Sequence, residues 1–236
     1  GYQPTDAGQV FIDRAQGLVG EVHSLLQATR AEAEGISGPV RITAVNVLFD
    51  YWLVDRIPAL LQLHPGLQLQ LIPDNGNLSF TRREADFALR LAQPTEDAAL
   101  LMRKLGQIGF GVYGTDRYAG LPRTDWGRQP WLAYGAELAH LPEMQWLQQC
   151  NPAVPQPLQC SDVLTLMQAC KAGLGLAMLP SIVARAGGLR CLGAGGELRR
   201  DLWLLSHRDA ANIKRFRAVA DWLTRIFEED REALAG

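Results

Sequence analysis

The chain of 236 residues has little excess charge of either sign: 23 Lys and Arg stand against 25 Asp and Glu, a formal net charge of -2. A surface built mainly for nucleic-acid phosphates needs a Lys or Arg for each phosphate it neutralises, so this balance argues against such a surface. Paired cysteines are also lacking. Cys150, Cys160, Cys170 and Cys191 are widely spaced with no CxxC, which indicates neither a zinc site nor a disulfide framework. They read as reduced thiols of a cytoplasmic protein. Cys160 and Cys170 admit a redox pairing, but the favoured reading is that of small buried hydrophobes. No apolar run approaches the roughly 18 residues that span a bilayer. The start of the chain lacks the basic-then-apolar order of a signal peptide. Membrane, secreted and disordered classes are therefore not expected.

Catalytic motifs are lacking as well. The four histidines are His23, His64, His140 and His207, and none stands in a nucleophile, zincin or metal-ligand motif. There is no P-loop, and no G-x-G-x-x-G follows the first strand. Ser206 beside His207 carries no weight, because triads are assembled in space. The expectation is a protein that is not an enzyme, with no metal and no cofactor.

What is present begins with a heptad seam. Thr5 is a good helix N-cap and Asp6 places negative charge near the positive end of the helix dipole. Phe11, Ala15, Leu18, Val22, Leu25 and Thr29 follow at alternating steps of four and three, the a/d pattern of a coiled coil. A helix of about 30 residues would be roughly 45 Å long, longer than a small domain is wide. It is expected to be a dimerisation helix over residues 1–36, stopped by Gly35, Ser37, Gly38 and Pro39; a surface helix folded on its own domain is the plainer alternative.

Beyond that stop the pattern becomes βα. Residues 40–45 form a strand, 51–63 a helix, 67–72 an alternating strand, 78–83 a short helix and 86–90 a third strand, which points to an open parallel sheet. Strands at 100–105 and 110–113 follow. A second alternation has strands at 131–133, 158–160 and 174–179, with helices at 144–150, 163–172 and 181–186. A strand at 202–206 and an amphipathic helix at 212–232 close the chain, the helix burying Phe216, Val219, Ala220, Leu223, Ile226 and Phe227. The fold class is α/β, two Rossmann-like subdomains with a cleft between them. Subdomain I is residues 37–112 with 206–236, and subdomain II is 113–205.

In open α/β sheets, ligands lie beyond the carboxyl ends of strands, where helices begin. Asn46 and Ser161 each follow a strand and precede a helix, so each could bond a ligand carboxylate or cap its helix. Arg90 ends the third strand and is either the cationic partner of an anionic effector or half of a structural ion pair.

Three segments resemble a LysR-type transcriptional regulator. Gly1-Tyr2-Gln3-Pro4-Thr5-Asp6-Ala7-Gly8 looks like the family's G-x-x-L/P-T-x-A-G, which joins the DNA-binding wing to the linker helix. Ala85-Asp86-Phe87-Ala88-Leu89-Arg90 is similar to its D-x-A-L/I-R strand. Ala172-Gly173-Leu174-Gly175-Leu176-Ala177-Met178-Leu179-Pro180 is similar to its A/G-G-x-G-I/L-A-x-L-P segment. Here Gly173 ends a helix, Gly175 allows tight entry to a strand, and Pro180 opens the next helix. The approach Arg82-Arg83-Glu84 is more charged than the family's, so the loop bordering the cleft departs from its pattern.

The resemblance implies a linker helix plus an effector-binding domain with the type 2 periplasmic-binding-protein-like fold. An N-terminal winged helix-turn-helix would precede Gly1, and promoter DNA would be bound only through that missing domain. The expected partners are a small, anionic effector and further copies of the chain in a homodimer or homotetramer, with no membrane. The expected effector site is Asn46, Val47, Leu48, Asn77, Arg90, Tyr113, Ser161 and Val163. A transporter's solute-binding protein shares the bilobal fold and is the alternative; a two-lobed enzyme is the third reading.

Overall fold

The computed structural model describes Thr5 and residues 36–74, 85–92, 99–151, 153–193, 198–208 and 211–236. The heptad residues Phe11, Ala15, Leu18, Val22 and Leu25, the short helix expected at 78–83, and Asn77 lie outside them.

Nine strands, six helices and three short 3-10 segments follow one another among the described residues. The strands are β1 (Ser37–Ala44), β2 (Gly66–Pro73), β3 (Phe87–Arg90), β4 (Leu100–Gly114), β5 (Trp131–Tyr134), β6 (Leu158–Cys160), β7 (Leu176–Pro180), β8 (Arg190–Cys191) and β9 (Leu198–His207). The helices are α1, a continuous run over 46–63 that passes through a π turn at Phe49–Leu53, then α2 (Pro142–Cys150), α3 (Val163–Lys171), α4 (Ser181–Ala186), α5 (Lys214–Glu229) and α6 (Arg231–Ala235).

Local sequence explains most of these. β7 is apolar throughout and buried at every residue, as a strand covered on both faces must be. β2 lies at the sheet edge and alternates exposed and covered positions. Along α5, Phe216, Val219, Trp222, Leu223, Ile226 and Phe227 are buried, one apolar stripe at helical spacing. In the family-like segment, Gly173 has φ +80, and a β-carbon on Gly175 would stand 2.5 Å from the Pro130 carbonyl oxygen. Glycine is required at both.

The strand order is β2-β1-β3-β9-β4-β7-β5-β6, with β8 beside β4. Pairing is parallel within each lobe (β1 with β2 and β3; β5 with β6 and β7) but antiparallel through β9 and β4. The first three strands pair in parallel as expected, and the antiparallel β4 and β9 make the sheet as a whole a mixed one. The two strands expected at 100–105 and 110–113 are corrected. They form one 15-residue strand with a register irregularity between Lys104 and Gly106. β9 pairs with β4 through Gly106 and Gly109 with no gap wider than the bulge, and β7 takes up the pairing from Phe110 through Gly111. For the same reason β9 is longer than the 202–206 expected.

Register then places the lobes. β3 meets β9 only at Trp203 to Ser206, and β7 meets β4 only at Phe110 to Tyr113. Lobe I hangs from one end of the β4–β9 ribbon and lobe II from the other. β4 is antiparallel to β7 and β9, and β9 is antiparallel to β3, so β3 runs opposite to β7. The carboxyl ends of β1, β2 and β3 consequently point toward lobe II, and those of β5, β6 and β7 point toward lobe I. A cleft spanned by two strands is the outcome.

Candidate functional site in the interlobe cleft

On the lobe I side the strand ends are tied together. The Asp74 N–H donates to the Ala44 carbonyl at 2.8 Å, holding the end of β2 against the end of β1. The Asp74 carboxylate accepts from Arg90 Nη2 at 2.9 Å, reaching the end of β3. Both side chains are largely buried, 13% exposed for Arg90 and 5% for Asp74. Burial pulls the Arg90 guanidinium below its ordinary range, and Asp74 partly restores it. The ion pair, one of the two readings for Arg90, is present in the structure.

Asn46 is the first residue of α1, where Val45, not Asn46, occupies the cap position and no side chain caps. Its amide donates to Asp50 at 2.9 Å. Val47 and Leu48 are buried, 5% and 1% exposed, and belong to the core.

On the lobe II side, the Gly135 N–H donates to the Cys160 carbonyl at 3.0 Å, joining the ends of β5 and β6. Asp162 caps α3: its carboxylate accepts from the Thr165 N–H at 2.8 Å and the Thr165 hydroxyl at 3.0 Å. Ser161 is exposed and relieved of the capping role. Val163 is half-buried at the first turn of α3.

Tyr113 lies elsewhere. It is 4% exposed, its ring packs back over Gly111 and beside Cys191, and burial pushes its phenol up. On β4 it shares a face with Gly109, whereas Ile108 and Phe110 face the other way. The structure therefore brings Asn46, Arg90, Ser161 and Val163 to the facing strand ends and leaves the Tyr113 side chain on the reverse of the hinge.

Three residues of this site escaped the sequence reading. Arg200 stands opposite Ile108 in the crossover of β9. Its Nε donates to the Leu91 carbonyl at 3.2 Å, just beyond β3, and its Nη1 donates to the Glu143 carboxylate oxygens at 3.2 and 3.4 Å. The guanidinium carbon also sits 5.8 Å from the Phe110 ring centre. Glu143, in the first turn of α2, is 2% exposed. Tyr134 ends β5 nearby; burial and then the Glu143 carboxylate push its phenol well above the usual range. Positions 143 and 200 are 57 apart, so no local pattern could have paired them.

Among the described residues no group of three His, Cys, Asp or Glu is placed to hold a metal, and no helix is long and apolar enough to cross a membrane. A cavity of about 350 Å³ lies on the reverse of the hinge, between Trp52, Arg56, Ile182, Arg185, Asp230 and Leu234.

Residues 33–228 match the LysR substrate binding domain. Over 195 residues the chain is 28% identical to the Mau operon transcriptional activator of Paracoccus denitrificans, covering 80% of this chain and 65% of that protein. It is 26% identical over 190 residues to the transcriptional regulator PtxR of Pseudomonas aeruginosa, covering 77% and 60%. The chain thus spans less than two thirds of either relative. Among solved structures, CrgA of Neisseria meningitidis, a LysR-type regulator, superposes with a TM-score of 0.69 at 21% identity, over 94% of this chain and 79% of that one. The effector domain of AmpR from Pseudomonas aeruginosa gives 0.68 at 19%, over 83% and 98%.

Proposed function

Since this chain belongs to the LysR substrate-binding-domain family, we propose that it is the effector-sensing part of a cytoplasmic transcriptional regulator. A small molecule carrying an anionic group enters between the lobes. It meets Asn46 from lobe I, Ser161 from lobe II and the backbone N–H groups around them, with Val163 at the rim. Leu48 serves only as packing beneath that floor. A ligand that binds one lobe arrangement better than another shifts their equilibrium by at most its differential affinity. That shift re-sets the geometry of a homodimer or homotetramer and re-spaces DNA-binding heads lying outside this chain. The lobes are residues 37–112 with 206–236 and residues 113–205, exchanging through β4 and β9.

One observation carries this reading: the strand ends of the two lobes face each other across the hinge, with Asn46 opening α1 on one side and Ser161 beside the Asp162 cap of α3 on the other. Arg90 is committed to Asp74, so it supports the floor of the site. The solute-binding protein of a transporter, which shares the bilobal plan, finds no support among the relatives, which are named as transcriptional regulators.

Calorimetric titration with a panel of small aliphatic and aromatic carboxylates tests the proposal. Binding to the unmodified chain is expected, with a loss of at least about tenfold in Asn46→Trp and Ser161→Trp, which fill the cleft. Heat from no member of the panel would refute the anionic effector. Binding undiminished in both variants would remove the cleft as the site.

A further inference from the structure

We infer that Arg200 is an interlobe latch, a positioning residue that sets how far the two lobes stand apart when the cleft is empty. This rests on the reading that the cleft is the sensing site, and it concerns how that site is regulated.

The location is the first argument. β3 reaches no further along β9 than Trp203, and β7 reaches no further along β4 than Phe110. Arg200 therefore sits on the stretch where no other strand pairs with the two crossover strands. Backbone pairing there permits bending, and side chains must limit it.

The bonding is the second. One planar guanidinium is shared between a backbone carbonyl of lobe I, Leu91, and a carboxylate of lobe II, Glu143. The side chain of Arg200 is 12% exposed and that of Glu143 is 3% exposed. Opening the lobes would break the bond to the Leu91 carbonyl or the pair with Glu143, and a largely buried polar group left without its partner is costly. Arg90–Asp74 is as well buried but lies wholly within lobe I, so it cannot resist opening.

The donor count is the third. Two of the guanidinium nitrogens are bonded, and Nη2 meets no acceptor among the described residues. A ligand acceptor taking that nitrogen would be read by both lobes at once, because its host is fastened to each. Lysine carries the same charge but has a single compact head that cannot span the two acceptors.

Single-molecule energy transfer tests the latch without any ligand. Labels go on Gln62→Cys and Gln149→Cys, exposed positions of lobe I and lobe II, with Cys150, Cys160 and Cys191 replaced by serine. Labelled full chain is diluted into excess unlabelled chain, so that each assembly reports one protomer. Arg200→Lys, Arg200→Gln and Glu143→Gln are expected to populate a low-transfer, opened state roughly tenfold more than the parent, the loss of a charge-assisted bond. Asp86→Asn breaks the Arg41–Asp86 bonds inside lobe I and is expected to lower melting temperature without changing transfer. Transfer distributions identical to the parent in all three latch variants would overturn the inference, as would an equal shift in Asp86→Asn. Because no ligand is used, the outcome is independent of the calorimetric test of the cleft.

Discussion

The carbonyl of Ala235 lies so close over Gly109 that a β-carbon on that glycine would overlap it. Gly109 belongs to the crossover of β4, and Ala235 ends the C-terminal helix α6. That helix spans the reverse of the hinge. At its start Asp230 accepts from the Arg56 guanidinium and the Trp52 indole in lobe I, and further along the Ala233 carbonyl accepts from Arg185 in lobe II. Leu234, 1% exposed, plugs into the core between these ties. The crossover strands are thus gripped by α6 on one face and by Arg200 on the other.

Gly109→Ala is expected to lift α6 from the hinge. The overlapping atoms are backbone and cannot rotate away, so the cost should fall at about 1–3 kcal/mol, the range for overpacking. Thermal unfolding would show a lower melting temperature, and hydrogen exchange would show earlier opening of the 231–236 amides. An unchanged melting temperature would mean that α6 can shift freely.

Arg90→Ala removes the largely buried cation that pairs with Asp74. Breaking such a pair typically costs about 3–5 kcal/mol. Denaturant unfolding should show that loss, and Arg90→Leu combined with Asp74→Leu should recover most of it, because both charges then go together. A double variant no better than Arg90→Ala would contradict the pairing.

Asp162→Ala removes the cap of α3 and is expected to cost about 1 kcal/mol, while Ser161→Ala should be near neutral in stability. Equilibrium unfolding of the two variants decides the matter. The reverse order would return Ser161 to the capping role.

The thiols should respond unequally to alkylation. Burial pushes Cys170 from 9.0 up to about 12, and its Sγ lies 3.4 Å from the Tyr113 carbonyl and 3.5 Å from that of Gly175. Cys150 and Cys191 are exposed and Cys160 is intermediate. Mass spectrometry after iodoacetamide treatment at neutral pH should find Cys170 unmodified in the folded chain and the two exposed thiols modified. The raised value also has a sign for stability. The folded state keeps its proton where the unfolded state has lost it, so the contribution is complete below pH 9.0 and declines as pH rises toward about 12. Cys170→Ala should flatten that alkaline decline.

Local chemistry made much of the fold legible. The apolar stripe of α5, the alternation of β2 and the glycines before β7 depend on neighbours a few residues away, and the structure shows them as the sequence predicts. Ser181–Ala186 forms a helix at the expected residues. The continuous β4 was not legible, because Gly106, Gly109 and Gly111 weaken a strand locally and only pairing with β9 and β7 overrides them. The site was half legible. Asn46, Arg90 and Ser161 announce themselves by standing at strand ends, but Glu143 looks like any acid in the first turn of a helix. Tyr113, next to the end of a crossover strand, turns to the reverse face by strand alternation once the register is known.

The sequence by itself determined the two alternations of strand and helix, the small polar residues at their junctions and the glycine–proline segment that resembles the LysR family. These are encoded at short range, by periodicity, capping and backbone freedom. Only the tertiary structure decided that the facing strand ends form a cleft, that Arg90 pairs with Asp74, and that Arg200 bonds both Leu91 and Glu143. Those relations join residues up to 109 positions apart, and nothing at short range encodes which buried charge will find which partner until the sheet has set its register.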